Sequence, residues 1–474
     1  MENSHLLSKH TGRSRRRLTF GHQLVFALLV TTLSILLLEY FNFDNDYESR
    51  VYGSLAATSG WLALFLMFFQ LPLGIRWKPL DRLIGLDKMW LLHRYFPLIE
   101  LVLVLLHGYL KTAAYPFSMS LSDVIHFIFV LDRSNEFYQR VFFGKVAFYG
   151  ALTLTILTYL RKLPPSFNAR CSIIPYWVWR PLHCLFYICF LLCLSHIKES
   201  ALSSNSRFVL FVLAISILVV PLLSRISSLF KESRKVFKVS KVDVISDRFT
   251  RVVLIPQDLT NINQTPSSFA VLTHPRFKTP HPLSIASPPG AFNHELLISG
   301  NSRLGRSARG WKEGDEIRLD GFYGKFCHSV LACQSVLLIS GGCGLAPQLS
   351  LLSFLLECHQ KGIPIPYIKI IFSFRNFSDF TTIRETIEAF KNNQIHFDLC
   401  LFFSDPTLSI SDAPEAVRTV SFIGRISNEV LGNKIDKSDD IYLCGPKGLM
   451  KTVFGVAKKK GLFKSQIHFE EFIM

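Results

Sequence analysis

Long apolar runs dominate the first half of the chain. A helix that crosses a hydrocarbon core of about 30 Å needs roughly 20 mostly apolar residues. Six runs approach that length, and they lie near residues 23–40, 51–74, 89–110, 141–160, 181–197 and 207–226. No run after Phe230 qualifies. The pattern therefore predicts six transmembrane helices over residues 23–230, preceded by a basic tail over residues 1–22.

The pattern changes after residue 235. Short alternating runs such as "FKVSKVDVIS" and "RFTRVVLIP" continue to about residue 330 between turn residues, which predicts a small antiparallel β-barrel. From Ser335 the order becomes strand then helix, beginning with "SVLLIS" and "APQLSLLSFLLECHQKG", which predicts a parallel α/β sheet. The expected fold is thus a multidomain membrane protein: a helical bundle, a barrel over residues 235–330 and an α/β domain over residues 331–474.

Composition and charge agree with this division. The chain has 474 residues, 49% of them hydrophobic, and is too apolar and too long for one soluble domain. The net charge of +17 could indicate a nucleic-acid partner, but the basic residues cluster beside the spans and through the soluble half. Since basic loops stay on the cytosolic side, we expect both termini in the cytosol, and no nucleic-acid partner. No CxxC pair occurs among the ten cysteines, which argues against disulfides and a zinc site.

Four histidines lie inside two predicted spans. The third span holds His93 and His107, and the fifth holds His183 and His196. Ionisable groups are unfavourable in a bilayer and usually functional. Both spans run outward from the cytosol, so His93 and His183 share an inner level, and His107 and His196 an outer one. Facing histidines at two levels favour two haems, each held by two imidazoles, over core histidines or a single metal site.

The histidine spacings differ between the two spans. Fourteen residues separate His93 from His107, an advance of about 21 Å that returns to nearly the same helix face. The thirteen residues between His183 and His196 give a phase error of about 140° on an ideal helix. A bulge or bend in the fifth span is therefore expected.

In each of these two spans, one further residue lies midway between the two histidines. Glu100 is seven residues from both His93 and His107, and Phe190 stands between His183 and His196. Glu100 is predicted to tune the haems or relay a proton, the alternative being a protonated or Arg-paired carboxyl. Phe190 is predicted to fill the gap between the haems.

The soluble half carries short motifs that are weak singly. "HPLSIAS" (281–287) and "DGFYG" (320–324) fall in the barrel, and "YLCGP" (442–446) ends a later strand. "LISGGCGLAPQL" (338–349) is a strand running into glycines, whose backbone can approach a pyrophosphate at the following helix N-terminus.

The ordered set of motifs resembles the ferric reductase and NADPH oxidase family of flavocytochromes b. Four transmembrane histidines are followed in order by HPxS, GGxGxxP and CGP, and the match covers nearly the whole chain from the second span. The resemblance implies a six-helix haem bundle, a ferredoxin-reductase-like FAD barrel and an NADP-binding α/β domain. It implies FAD, NADPH and two b-type haems as cofactors, with His93, His107, His183 and His196 as the iron ligands.

The resemblance also implies roles for individual residues. The residues that would contact FAD are His281, Pro282, Leu283, Ser284, Arg303 and Gly305. The residues that would contact NADPH are Gly341, Gly342, Gly344, Pro347, Arg375, Gly424, Arg425, Cys444, Gly445 and Pro446. Cys444 would lie beside the nicotinamide, Phe472 would lie against the flavin, and Arg375 and Arg425 would meet the 2′-phosphate. For both arginines a solvated strand-end charge is the alternative.

Two positions depart from the family pattern. Leu283 replaces the aromatic residue that packs on the flavin, and Phe322 replaces a proline in the DGPYG-like turn. Leu283 therefore puts FAD affinity in question.

The resulting interpretation is electron transfer across a membrane. Cytosolic NADPH would reduce FAD, and electrons would pass through both haems to ferric or cupric ion. A superoxide-generating NADPH oxidase is the alternative enzyme, and a transporter with a proton relay or a non-catalytic partner subunit is the alternative from another class. The plasma membrane is expected, with the endoplasmic reticulum or a vacuole as alternatives. Partner subunits are unknown.

Overall fold

The computed structural model describes most of both halves of the chain. The described residues are 47–113, 130, 131, 133, 134, 136–161, 174–199, scattered positions between 208 and 227, and 236–470 without 258–263, 274–279 and 328. The chain divides into two compact units. The membrane unit comprises residues 1–84 and 88–226, and the soluble unit comprises residues 227–474 with 85–87.

Helices make up most of the described part of the membrane unit. Its helices are α1 (Tyr47–Gly74), α2 (Lys78–Ile84), α3 (Leu86–Ala113), α4 (Glu136–Leu160), α5 (Tyr176–Cys184) and α6 (Phe186–Glu199). Within the described residues, four segments are long and apolar enough to cross a membrane: Val51–Gly74, Lys88–Lys111, Val141–Leu160 and Tyr176–Lys198. The predicted span 23–40 lies outside the described residues. The span 207–226 is helical at its described positions. Six spans therefore stay a prediction.

The fifth predicted span is interrupted at Leu185, between α5 and α6. Hydrogen bonds there join residues three apart, from the Leu185 N–H to the Leu182 carbonyl (3.0 Å) and from the Ile188 N–H to the Leu185 carbonyl (2.9 Å). Such bonds wind the chain more tightly than an α-helix and add rotation per residue. The expected irregularity between His183 and His196 is thus present, and it turns the helix in the direction that reduces their phase error.

An antiparallel barrel opens the soluble unit. Its elements are β1 (Val236–Val244), β2 (Phe249–Pro256), β3 (Phe269–Thr273), β4 (His281–Ser284), β5 (His294–Ser299), α7 (Arg303–Ala308) and β6 (Glu316–Tyr323). The strand order is β4-β3-β6-β1-β2-β5. An antiparallel bridge between Ile285 and Leu296 joins the two edge strands, so the sheet closes around an apolar core.

A parallel α/β domain completes the soluble unit. Its elements are β7 (Ser335–Gly341), α8 (Leu345–Gln360), β8 (Tyr367–Phe374), α9 (Thr381–Asn392), β9 (Phe397–Phe403), β10 (Ser421–Ile423), α10 (Asn428–Lys434), β11 (Asp439–Cys444), α11 (Lys447–Lys459) and β12 (Ile467–Glu470). The strand order is β10-β9-β8-β7-β11-β12. From β7 the chain adds β8, β9 and β10 on one side of the sheet, and it then adds β11 and β12 on the other side. Ligands of open parallel sheets bind at such a switch point, here between β7 and β11.

Buried serines join the barrel to the α/β domain. Before β3, the Ser267 N–H donates to Ser350 Oγ in α8 (3.0 Å), and Ser267 Oγ donates to the Pro347 carbonyl (2.6 Å). Ser350 Oγ in turn donates to the carbonyl of Ser287, next to β4 (2.8 Å). All three serines are buried. Because a buried polar group that loses its partner is destabilising, this serine network fixes the two domains to each other.

Candidate functional site

The first histidine pair joins α3 to α5. The ring centres of His93 and His183 are 5.9 Å apart, with the rings nearly perpendicular at 76°. Trp179 stacks on His183 at 4.7 Å. On the other side, a Cβ added to Gly74 of α1 would lie 3.2 Å from the His93 ring, so glycine lets the ring approach that helix.

The second histidine pair joins α3 to α6. The ring centres of His107 and His196 are 6.3 Å apart. His107 Nδ1 lies 2.7 Å from the Ala56 carbonyl, which can only accept, so the proton is on Nδ1 and Nε2 keeps its lone pair for a metal. Glycines again lie against the rings, since an added Cβ would be 2.7 Å from His107 Nδ1 at Gly60 and 3.1 Å from the His196 ring at Gly144.

Both pairs have the dimensions of a bis-imidazole metal site. Two metal–nitrogen bonds of about 2.0 Å, plus the distance from each nitrogen to its ring centre, separate the ring centres by roughly 6 Å. The observed 5.9 and 6.3 Å match this separation. Donor type, spacing and the His107 tautomer therefore fit the predicted haem irons.

Glu100 and Phe190 contact α1 of the membrane unit. Gln70 Nε2 donates to Glu100 Oε1 at 3.3 Å, so among the described residues this carboxyl pairs with an amide. Phe190 is 2% exposed and meets Phe68 edge to face at 4.7 Å. Their predicted roles between the haems stay predictions.

The predicted FAD residues converge at one edge of the barrel. Strand β4 carries His281, Pro282, Leu283 and Ser284 and pairs with β3. Burial, and then the neighbouring Arg303 charge, lower the pKa of His281, so the two segments assigned to FAD lie together. Leu283 packs partly buried on the barrel core. Beside β4, Ser268 Oγ is buried and has no hydrogen-bond partner among the described residues, as expected of a group awaiting a polar ligand.

At two positions in this part of the barrel, the local backbone explains which residue is present. A Cβ on Gly305 would lie 1.9 Å from the Ser299 carbonyl oxygen, so only glycine fits there. Phe322 has a φ of +98°, which a proline ring cannot adopt. Its ring instead packs 5.3 Å from His294 in the barrel. The local backbone therefore excludes the proline that the family has at this position.

The GGxGxxP and CGP motifs are in direct contact. A Cβ on Gly344 would lie 2.2 Å from the Cys444 carbonyl oxygen, and one on Gly445 would lie 3.1 Å from the Gly341 nitrogen. Gly342 adopts a φ of +60°. Helix α8 follows at Leu345, with Gly344 as an N-cap that makes no side-chain hydrogen bond. Its first N–H groups thus lie at the predicted pyrophosphate position, and Pro347 lies in its first turn.

Glu470, at the end of β12, is a site residue that we did not identify from sequence. It is 4% exposed, pairs in register with Cys444 and accepts a hydrogen bond from Ser284 Oγ at 3.5 Å. Burial, and then the Glu470 charge, raise the pKa of Cys444 well above its usual value, so the thiol stays protonated. Glu470 thereby links the HPxS motif to the CGP motif. The signal in the sequence was a carboxylate at the end of the short strand "IHFE".

The remaining predicted residues lie at the carboxyl ends of β8 and β10. Arg375 follows β8 and is paired with Asp405, which follows β9 (3.6 Å). Gly424 has a φ of +116° and donates its N–H to the Phe403 carbonyl (2.8 Å), and Arg425 beside it is exposed. Phe472 lies outside the described residues.

The α/β domain matches a known family. Residues 333–421 match the model described as ferric reductase NAD binding domain. The resemblance to the ferric reductase and NADPH oxidase family is thereby confirmed for this segment, which is similar to ferric reductase NAD-binding domains.

Curated relatives match part of the chain. The flavohemoprotein of Rhizobium meliloti (strain 1021) is 30% identical over 162 residues, 34% of this chain and 37% of that protein. The reductase component of propane 2-monooxygenase from Rhodococcus jostii (strain RHA1) is 24% identical over 241 residues, 50% of this chain and 62% of that protein. The chain thus covers less than two thirds of each. These matches support the class of NAD(P)H-dependent, flavin-linked reductases.

A solved structure also resembles part of the chain. The flavohem-like FAD/NAD binding domain of nitric oxide dioxygenase from Vibrio cholerae O1 biovar El Tor is 20% identical, with a TM-score of 0.42. The likeness covers 50% of this chain and 98% of that one.

Proposed function

We propose that this chain transfers electrons across a membrane, from cytosolic NADPH through FAD and two b-type haems to ferric or cupric ion. The observation that carries the proposal is the pair of histidine sites, with ring centres 5.9 and 6.3 Å apart, in a chain that also matches the ferric reductase NAD-binding model over residues 333–421. Neither half performs this function alone.

The soluble unit would bind the electron donor and orient it. Its glycine loop and the start of α8 would hold the pyrophosphate, and Cys444 would lie beside the nicotinamide. FAD, when bound, accepts a hydride and releases electrons singly. The β4 strand, with Arg303 and Gly305, would hold FAD. Glu470 Oε2 would accept the Ser284 hydroxyl proton in a hydrogen bond and so orient that hydroxyl in a site shielded from water.

The membrane unit would hold the haems through His93 with His183 and His107 with His196. Haem held by these two imidazole pairs would supply one-electron transfer. The hydrogen bond from His107 Nδ1 to Ala56 would fix that ring and raise its basicity as a ligand. Phe190 would fill the space between the levels, and Glu100, hydrogen-bonded to Gln70, would tune the haems or relay a proton.

Ferric or cupric ion is proposed as the acceptor, with superoxide production as the competing activity. The family description of residues 333–421 favours the metal. We propose a multi-pass protein with cytosolic termini, in the plasma membrane by preference and in the endoplasmic reticulum or a vacuole as alternatives. Membrane lipid is the surrounding partner.

A reduced-minus-oxidised difference spectrum of membranes, recorded after adding NADPH or NADH, tests the central proposal. We expect a b-type signal from two haems, and loss of one haem in His107→Ala and in His183→Ala. His359→Ala, which changes a histidine of α8 outside the bundle, should keep both. Membranes without a haem signal would favour the transporter alternative, and haem that NAD(P)H fails to reduce would favour a non-catalytic subunit.

A second experiment identifies the acceptor. The purified full chain should reduce ferric chelate equally well with and without oxygen, and superoxide dismutase should not inhibit it. Activity that requires oxygen and is abolished by superoxide dismutase would replace the metalloreductase by the oxidase.

A further inference from the structure

The sheet order predicts where the adenosine end of the coenzyme lies. Ligands of such sheets bind across the carboxyl ends of the strands at the switch point, here between β7 and β11. If the nicotinamide lies beside Cys444 of β11 and the pyrophosphate lies at α8, the adenosine extends over β8 and β9. The residues that follow these two strands are therefore placed to contact the adenosine ribose.

Those residues are Arg375 after β8 and Asp405 after β9. Their backbones are joined, because the Asp405 N–H donates to the Arg375 carbonyl at 3.2 Å. Their side chains form an ion pair, with Arg375 Nε 3.6 Å from Asp405 Oδ2. The Arg375 side chain is 59% exposed and that of Asp405 is 19% exposed, so both can be reached by a ligand.

Both residues are held in place by their neighbours. Thr407 donates to Asp405 Oδ1 from its N–H (3.1 Å) and from its hydroxyl (2.7 Å). Buried Asp379 accepts the N–H of Arg375 at 3.1 Å and the hydroxyl of Ser246 at 2.7 Å. The Thr407 hydrogen bonds, and then the Arg375 charge, lower the pKa of Asp405. A fixed carboxylate therefore lies where the ribose is expected.

A carboxylate and an arginine select opposite coenzymes. A carboxylate at this place accepts a hydrogen bond from the 2′-hydroxyl of NADH, whereas an arginine favours the 2′-phosphate of NADPH. In this chain the carboxylate also neutralises the arginine. It would repel a 2′-phosphate, because two negative charges at short range near a protein surface interact strongly.

We propose that Asp405 is a specificity-determining residue that shifts this site from NADPH toward NADH. The assignment rests on the proposed function, since it concerns the coenzyme of the same reductase. It changes the expectation drawn from Arg375 alone, because the positive charge that would attract a 2′-phosphate is already paired.

The test compares both coenzymes on the purified full chain, with ferricyanide as electron acceptor. Asp405→Asn keeps the size of the side chain and removes its charge, so the ratio of kcat/KM for NADPH to that for NADH should rise by about tenfold or more. Inhibition by 2′-phospho-AMP should strengthen in the same variant relative to inhibition by AMP. Asp412→Asn removes an exposed carboxylate of the same β9–β10 connection and should leave the ratio unchanged.

The outcomes separate this assignment from the proposed function. If the wild-type chain oxidises both coenzymes and Asp405→Asn leaves the ratio within about twofold, the role of Asp405 is wrong and the reductase stands. Equal shifts in Asp405→Asn and Asp412→Asn would also overturn the role, since they would indicate a general charge effect. A wild-type chain that oxidises neither coenzyme overturns the proposed function, and this assignment with it.

Discussion

The membrane and soluble units bring their functional groups together by different means. In the membrane unit, histidine rings on one helix lie against glycines on another, and Gly60 and Gly74 repeat the spacing of His93 and His107 (74 − 60 = 107 − 93 = 14). In the soluble unit, functional groups lie where strands end, and backbone atoms such as those of Gly344 and Cys444 touch directly. A side chain can move away from an added atom, whereas two backbone segments in contact cannot. Replacing glycine by alanine should therefore reduce stability and activity more in the soluble unit than in the membrane unit.

The strongest test of this difference is Gly344→Ala. The new methyl carbon would lie 2.2 Å from the Cys444 carbonyl oxygen, so the two motifs must separate. We expect the free energy of unfolding to fall by about 3 kcal/mol, the upper end for overpacking, with loss of most NAD(P)H oxidation. Chemical denaturation and steady-state kinetics measure both. Gly455→Ala in α11, where nothing lies within 4 Å, should keep wild-type activity and should not lower the free energy of unfolding. A fully active Gly344→Ala enzyme would contradict the backbone contact.

Gly60→Ala makes the matching change in the membrane unit. Its methyl carbon would lie 2.7 Å from His107 Nδ1, which can move only by weakening its hydrogen bond to Ala56. We expect a destabilisation of roughly 1–2 kcal/mol and a haem content that falls from two toward one per chain. The pyridine haemochrome assay measures haem content. Gly108→Ala, on the same helix as His107 with nothing within 4 Å, should retain both haems. Equal haem in the two variants would argue against the His107 site.

A barrel histidine shows that the soluble unit uses buried histidine for packing. His294 is 2% exposed against Phe237 and Phe322, and burial lowers its pKa to about 4. Its pKa in the unfolded chain is about 6.5, so the folded state binds the proton more weakly and loses stability as the pH falls from 6.5 toward 4. Between pH 7 and 5.5 we expect a loss of roughly 1 kcal/mol.

The matched variant is His294→Phe, which keeps a ring and cannot take up a proton. Denaturant unfolding of both proteins at pH 7 and 5.5 should show a smaller decrease for the variant. Parallel decreases would mean that His294 does not set this pH dependence.

The smallest effect concerns the aromatic contact of the first histidine pair. Trp179 stacks on His183 at 4.7 Å and donates from Nε1 to Thr158 Oγ1 at 3.2 Å. In Trp179→Leu we expect about 1 kcal/mol of lost stacking and a shift in only one of two midpoint potentials. Redox titration resolves the two haems. Trp177→Leu, at a position 60% exposed, serves as the control. A shift of both midpoint potentials would contradict an effect of Trp179 that is confined to the first histidine pair.

Sequence periodicity predicted how the histidines of the membrane unit pair. The fourteen-residue spacing of His93 and His107 predicted a shared helix face, and the thirteen-residue spacing of His183 and His196 predicted a bend, which lies at Leu185. Helical phase is a local property, so it can be calculated without the rest of the fold. The glycines opposite the histidines were missed, although their identical spacing was visible in the sequence.

The soluble unit was predicted at the level of domains and motifs only. Glu470 meets Cys444 because β12 pairs with β11, and Asp405 meets Arg375 because β9 lies beside β8. Strand order is set by packing across the whole sheet, and no short stretch of sequence records it. The contact of Ser284 with Glu470 spans 186 positions of the chain for the same reason.

The serine network between the barrel and the α/β domain limits how this half of the molecule can be recombined. Ser267 precedes β3, while its partners Ser350 and Pro347 belong to α8. A hybrid that takes its barrel from one reductase and its nucleotide domain from another would leave buried donors unpaired, at about 1–3 kcal/mol each. The two domains therefore form one exchangeable module, and a fusion point placed before β1 keeps that module whole.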